Sequence, residues 1–153
     1  MITIKKKQIE QLSRQLKKHL PDVSCGAIIG YSNGNNKIVS YFVELENEIS
    51  ENRRSRYLIT PERYLYAEET ALTYNLELLG FYYLSGNKSE KPSEFDKNYA
   101  LPGVLYLSAS VEEDCKLNTR FFNLNNNRKE FEELQVRIID DKITEEKRYA
   151  IAV

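Results

Sequence analysis

The spacing of apolar residues predicts two helices and a series of strands. Over 4–20, Ile9, Leu12, Leu16 and Leu20 recur at three- and four-residue steps with Lys, Gln and Arg between them, the pattern of an amphipathic helix. Pro21 ends it, and His19 near its C-terminus suits the negative end of the helix dipole. Residues 25–31 are a short apolar run and predict a buried strand. Asn33-Gly34-Asn35-Asn36 is a turn cluster that tolerates positive φ, and 37–45 returns as a strand rich in β-formers, so 25–45 reads as a hairpin. Residues 46–56 are a polar loop and 57–59 a brief strand. Thr60-Pro61 marks a helix start, with Thr as N-cap and Pro in the first turn. In this second helix Leu65, Glu68 and Leu72 fall on one line and Tyr64, Ala67, Ala71 and Tyr74 on the next; it ends near Asn75, a residue suited to the left-handed conformation.

The second half continues in the same terms. Residues 76–84 predict a buried strand that enters a polar loop, and Pro92-Ser93-Glu94-Phe95-Asp96 opens a short helix. Leu101-Pro102-Gly103 is a turn and 104–111 an alternating strand. Residues 118–123 and 133–139 read as two strands around the Asn125-Asn126-Asn127 turn, and a charged tail leads to an apolar end at 149–153. The sum is six or seven strands and two long helices. That is an α+β fold, a mixed, largely antiparallel β-sheet flanked by helices, in one domain spanning 1–153.

Composition changes this picture little. The 153 residues are 41% hydrophobic and 29% charged, normal for a globular domain, and the net charge of −1 gives no field that recruits nucleic acid or an anionic membrane. Lys5-Lys6-Lys7 and Lys17-Lys18 form the solvated face of the first helix. No run approaches the ~18 apolar residues of a membrane-spanning helix. The two cysteines, Cys25 and Cys115, are far apart and lie in no CxxC pair, which excludes a disulfide framework and a zinc ribbon. A cytoplasmic protein with reduced thiols is expected. His19 is the single histidine, a poor start for a hydrolytic zinc site.

Several segments together resemble the JAMM/MPN (Mov34/PAD-1) domain in its small prokaryotic form. Cys25-Gly26-Ala27-Ile28-Ile29-Gly30 before a hairpin is similar to its first strand. Tyr57-x-Ile59-x-Pro61-Glu62, with 67–71 and 76–82, is similar to its helix and catalytic strand, and Pro92-Ser93-Glu94-Phe95-Asp96 to its PSxxD segment. Arg120-Phe121-Phe122-Asn123-Leu124 and Phe131-Glu132-Glu133 are similar to its closing strands. The resemblance covers about 21–139 and implies a cytidine-deaminase-like α+β fold. Active members are zinc metallopeptidases that hydrolyse isopeptide or peptide bonds, often on ubiquitin or ubiquitin-like sulfur carriers. Their motif is a Glu on the first strand followed by H-x-H-P-x6-S-x-x-D. Two His and the Asp hold zinc, the Glu acts as general base on the metal-bound water, and the Ser supports the oxyanion.

Carried over without a gap, Asp96 matches the Asp ligand and Ser93 the Ser. The two His positions fall on Tyr83 and Ser85, the Pro on Gly86 and the general base on Val23, with Asp22 and Ser24 beside it. Two of three metal ligands and the base are replaced, so the resemblance implies a pseudo-metallopeptidase with no catalytic residues and no bound zinc or other cofactor. Ser93 and Asp96 then serve as a capping pair at a helix start. Cys25 reads as a buried strand residue and not a nucleophile. The expected function is non-catalytic: a binding or assembly module for a protein partner, such as a ubiquitin-like protein, a catalytic relative or a second copy in a homodimer. One alternative is a hydrolase with a non-standard metal site built from Asp96 and Glu68, Glu69, Glu90 or Asp22, or metal-free chemistry by Tyr83 and Ser93. Another is a small-molecule cleft beside the Ser93 helix.

Overall fold

A computed structural model describes residues 1–86, 103–111, 116–125 and 130–140 of the chain. Among them run β1 (Ile2–Lys5), α1 (Lys6–His19), β2 (Ser24–Asn33), β3 (Asn36–Leu45), α2 (Pro61–Thr73), β4 (Glu77–Ser85), β5 (Leu105–Val111), β6 (Leu117–Leu124), β7 (Phe131–Leu134) and β8 (Val136–Ile139). The strands form one mixed sheet in the order β7-β6-β5-β4-β2-β3-β1-β8. β1 runs parallel to β3 and β8, and β4 parallel to β5; the other pairs are antiparallel. The two edge strands, β7 and β8, are separated in the chain by Gln135 alone. The sheet therefore curls toward closure, a nearly closed, barrel-like form, and the α+β class expected from the periodicity holds at that level.

The two helices lie on opposite faces. On the concave face Leu12 and Leu16 of α1 pack with Ile28, Tyr82, Leu84, Leu107 and Phe121, all fully buried. On the outer face Ala67 of α2 packs with Ala27, Leu45 and Phe81. α1 is also tied down by its glutamines. Gln8 Nε2 donates to the carbonyls of Val39 (3.0 Å) and Ser40 (2.8 Å), Gln11 Nε2 to that of Phe42 (3.0 Å), and Gln15 Nε2 to that of Cys25 (3.3 Å). The Tyr82 hydroxyl donates to Gln15 Oε1 at 2.6 Å. Residues that read as polar spacers are thus the bonds between helix and sheet, and they satisfy strand carbonyls that burial would otherwise leave unpaired.

Several expectations need correction. The first helix begins at Lys6, because Ile2 and Ile4 alternate into the core as β1, and Gln8 Oε1 accepts the Lys5 N–H (2.8 Å) at the helix start. Residues 57–59 form no strand; Asn47 organises them instead, its Oδ1 accepting from the Leu58 N–H (3.0 Å) and its Nδ2 donating to the Arg56 carbonyl (3.1 Å). The expected strand over 133–139 is two strands on different edges of the sheet. α2 keeps its Thr60 cap, which accepts from the Arg63 N–H, and its left-handed exit at Asn75 (φ 55°). It turns its alanines inward, however, while Leu65 and Leu72 face solvent. The Ser93 helix and the turns at Leu101-Pro102 and Asn126-Asn127 lie outside the described residues.

The paired glycines of β2 have steric causes. A Cβ at Gly26 would collide with the ring of Tyr82, and one at Gly30 with the Ile38 carbonyl oxygen. The Cys-Gly…Gly spacing that carries part of the family resemblance is what a buried tyrosine and a close β2–β3 approach demand. No helix among the described residues is long and apolar enough to cross a membrane.

Candidate functional site

Tyr83 and Ser85 occupy the C-terminal end of β4. Tyr83 sits opposite Cys25 on β2 and Ser108 on β5, and Ser85 opposite Ser110. Ser24 pairs with Leu84, so Val23 is the next position along β2, at the level of Ser85. The fold thus brings together three of the five positions singled out from the sequence, Val23, Tyr83 and Ser85. Ser93 and Asp96 lie outside the described residues, as does Glu90.

The Tyr83 ring stacks on Tyr57, with centroids 5.1 Å apart and planes at 19°. It faces away from α1, since its neighbour Tyr82 is the residue that reaches Gln15. Val23 is 4% exposed and clamped by its main chain: its N–H donates to the Arg53 carbonyl (2.7 Å), and its carbonyl accepts from Asn47 Nδ2 (2.9 Å). A buried valine cannot move a proton. A stacked phenol and a hydroxymethyl group do not supply the neutral imidazoles that zinc takes in JAMM/MPN enzymes, so the residues at these positions do not fit the metal. His19 does not substitute for them. Its Nε2 contacts Glu44, which pairs with Gly26 in the row that carries Tyr82, on the face of the sheet opposite Tyr83. Among the described residues no three His, Cys, Asp or Glu side chains gather as a metal site. Glu68 and Glu69 are exposed on α2, and Asp22 lies 3.9 Å from Arg53.

The row through Tyr83 continues across β5 to Arg120 on β6. Arg120 makes a two-pronged contact with Glu133 (2.8 and 3.0 Å) and lies over the Phe122 ring at 5.2 Å. The hydrogen bond between them raises the Arg120 pKa and lowers that of Glu133. Both charges lie near the surface, and the pair fixes geometry more than it adds stability. A cavity of about 350 Å³ opens at this same end of β2, lined by His19, Asp22, Ser24, Glu44 and Arg53 among others. Of Val23, Tyr83 and Ser85, Val23 alone lines it.

Cys25 is buried, with its Sγ 3.7 Å from the Leu45 carbonyl. Burial first, then the charges of Glu44 and Glu48, push its thiol up from 9.0 to about 12. The thiolate is the nucleophile, so Cys25 is inert in the folded chain. In a Cys115→Ser background at pH 8, alkylation of Cys25 by iodoacetamide is expected to run roughly a thousandfold slower in the native state than in denaturant, because so much less of the folded thiol is ionised. The same shift sets a pH dependence. Below pH 9 the group is neutral in both states and its contribution to stability is fully present. Between about 9 and 12 only the unfolded chain sheds the proton, so stability falls by roughly 1.4 kcal/mol per pH unit. Tyr82, raised by burial and then by Glu44 and Cys25, adds a loss of the same sign at still higher pH. Chemical denaturation from pH 8 to 11 measures the slope.

The chain is similar in structure to two solved proteins. It superposes on protein DSY2949 from Desulfitobacterium hafniense with a TM-score of 0.81 and 24% identity, covering 92% of this chain and 94% of that one. It superposes on a protein from Salinibacter ruber with a TM-score of 0.67 and 22% identity, covering 93% and 94%. At these identities the likeness establishes the fold alone. No family model and no curated protein matches the sequence.

Proposed function

We propose that the protein is a non-catalytic JAMM/MPN-like module, a pseudo-metallopeptidase that works in the cytoplasm by binding another protein. The observation that carries this reading is the Tyr83–Tyr57 stack. It stands where the family spacing expects the first histidine, and it fills with two aromatic rings the space an imidazole and its metal would use. Val23 supports the same reading, since the general-base position is a buried apolar residue with its backbone clamped. A scaffold that keeps its strand and loop frame without the groups of the hydrolytic reaction is suited to recognition. The family's chemistry makes a ubiquitin-like protein or a catalytic relative the natural partner.

Metal analysis and a cleavage assay test it together. Protein purified without chelator is expected to hold less than about 0.1 zinc per chain, against the one per chain of an occupied three-ligand site. It is expected to leave linear fusions of ubiquitin-like proteins intact with or without added zinc. Stoichiometric zinc that disappears on Asp96→Ala, or chelator-sensitive cleavage, overturns the reading.

A further inference from the structure

Helix α2 presents its small side chains to the sheet and its large ones to solvent. Ala67 and Ala71 are 0% and 2% exposed, whereas Leu65, Tyr66 and Leu72 are 54%, 51% and 72% exposed. Leu65 and Leu72 are two turns apart on one line of the helix, about 10 Å along its axis. Tyr74, packed against Tyr41 with ring centroids 5.0 Å apart, extends the apolar surface past the helix end. A helix that needed only to cover the sheet would turn its leucines inward. An apolar patch of this kind on an otherwise polar domain marks a protein contact.

The charges around the patch restrict what can cover it. Glu62, Glu68 and Glu69 are exposed along the same face. The one cation of the helix, Arg63, is already held by Glu46 (2.7 Å) and Glu48 (3.0 Å). A second copy docking through the same face would set these carboxylates against one another, and like charges across an interface are costly. We infer that the outer face of α2 docks a protein partner whose contact surface is apolar at the centre and carries Lys or Arg at its rim. This rests on the placement of the leucines and glutamates and holds whether or not the β4 positions ever bound metal.

The test uses the full chain, isotopically labelled, with two synthetic 14-residue amphipathic helical peptides, one of Leu and Lys and the other of Leu and Glu. The Leu/Lys peptide is expected to shift the amide signals of α2 and to bind more weakly as salt rises. The double substitution Leu65→Ser with Leu72→Ser is expected to weaken it at least tenfold, and Glu62→Gln with Glu69→Gln about threefold. The Leu/Glu peptide should not bind. All four substituted side chains are exposed, and unchanged thermal unfolding confirms that the fold is kept. Four results overturn the inference: no α2 shifts, equal binding of the two peptides, a dimer in sedimentation that Leu72→Ser dissociates, or α2 shifts on deletion of residues 141–153, which would make the chain's own tail the occupant.

Discussion

Gly80→Ala is expected to destabilise the domain by about 3 kcal/mol or more, the upper end of what overpacking costs in a well-packed interior. Gly80 lies where β4 meets both β2 and β5, opposite Ile28 on one side and Leu105 on the other. A Cβ there would land on the Leu105 carbonyl oxygen and come within 2.6 Å of its carbon and 2.7 Å of its nitrogen. These are backbone atoms, so no rotamer change relieves the clash; the parallel β4–β5 pairing must open. That pairing joins the first half of the sheet to β5, β6 and β7. Out of a total stability of about 5–15 kcal/mol, such a loss leaves the fold marginal. Gly34→Ala is the control. Gly34 has φ 61° in the β2–β3 turn and nothing within 4 Å, so only the left-handed backbone penalty of ~1 kcal/mol applies. Thermal or urea unfolding of the two variants side by side decides the matter. Equal losses would mean that β4 and β5 are not in close register at Gly80.

How much of this was legible in the sequence follows from which interactions are local. The β2–β3 hairpin, the Thr60-Pro61 helix start and the Asn75 exit are written in adjacent residues, and the structure keeps all three. The strand at Ile2 and Ile4 was hidden because two alternating isoleucines ahead of a helical pattern fit either period. Its pairing with β3 and β8 is decided by residues more than thirty positions away. The division of 131–139 between two sheet edges was hidden for the same reason, since β-formers in one run do not say which partners they meet. Two features ran against the usual reading of side chains. Gln8, Gln11 and Gln15 read as polar spacers and are the ties to the sheet, and Leu65 and Leu72, apolar residues on one line of an amphipathic pattern, face solvent. Of the candidate positions, Val23, Tyr83 and Ser85 lie at one end of the sheet. The spacing did not foresee that Tyr57 would supply a stacking partner, because the contact depends on the course of a loop that Asn47 holds from within.

Substituting Tyr83→His together with Ser85→His is expected to change zinc content from less than about 0.1 to about one per chain. Residues 83 and 85 lie on the same face of β4, with Cα atoms about 6.6 Å apart at strand rise, a spacing from which two imidazoles can converge on one ion. On the proposed alignment Asp96 is the third ligand, so the triple variant that adds Asp96→Ala should lose the metal again. Loss of the Tyr57 stack costs about 1 kcal/mol, and bound zinc in excess returns more than that by mass action. The double-histidine variant should therefore melt higher with zinc than with chelator, while the unsubstituted chain should melt at one temperature in both. Hydrolysis is not expected to return with the metal, because valine at the proposed general-base position cannot take a proton; adding Val23→Glu tests that step separately. A double-histidine variant that folds but takes up no zinc would show that Asp96 does not stand with Tyr83 and Ser85. The proposed alignment of this end of β4 with a metallopeptidase site would then fail, while the proposed α2 docking face, which owes nothing to it, would stand.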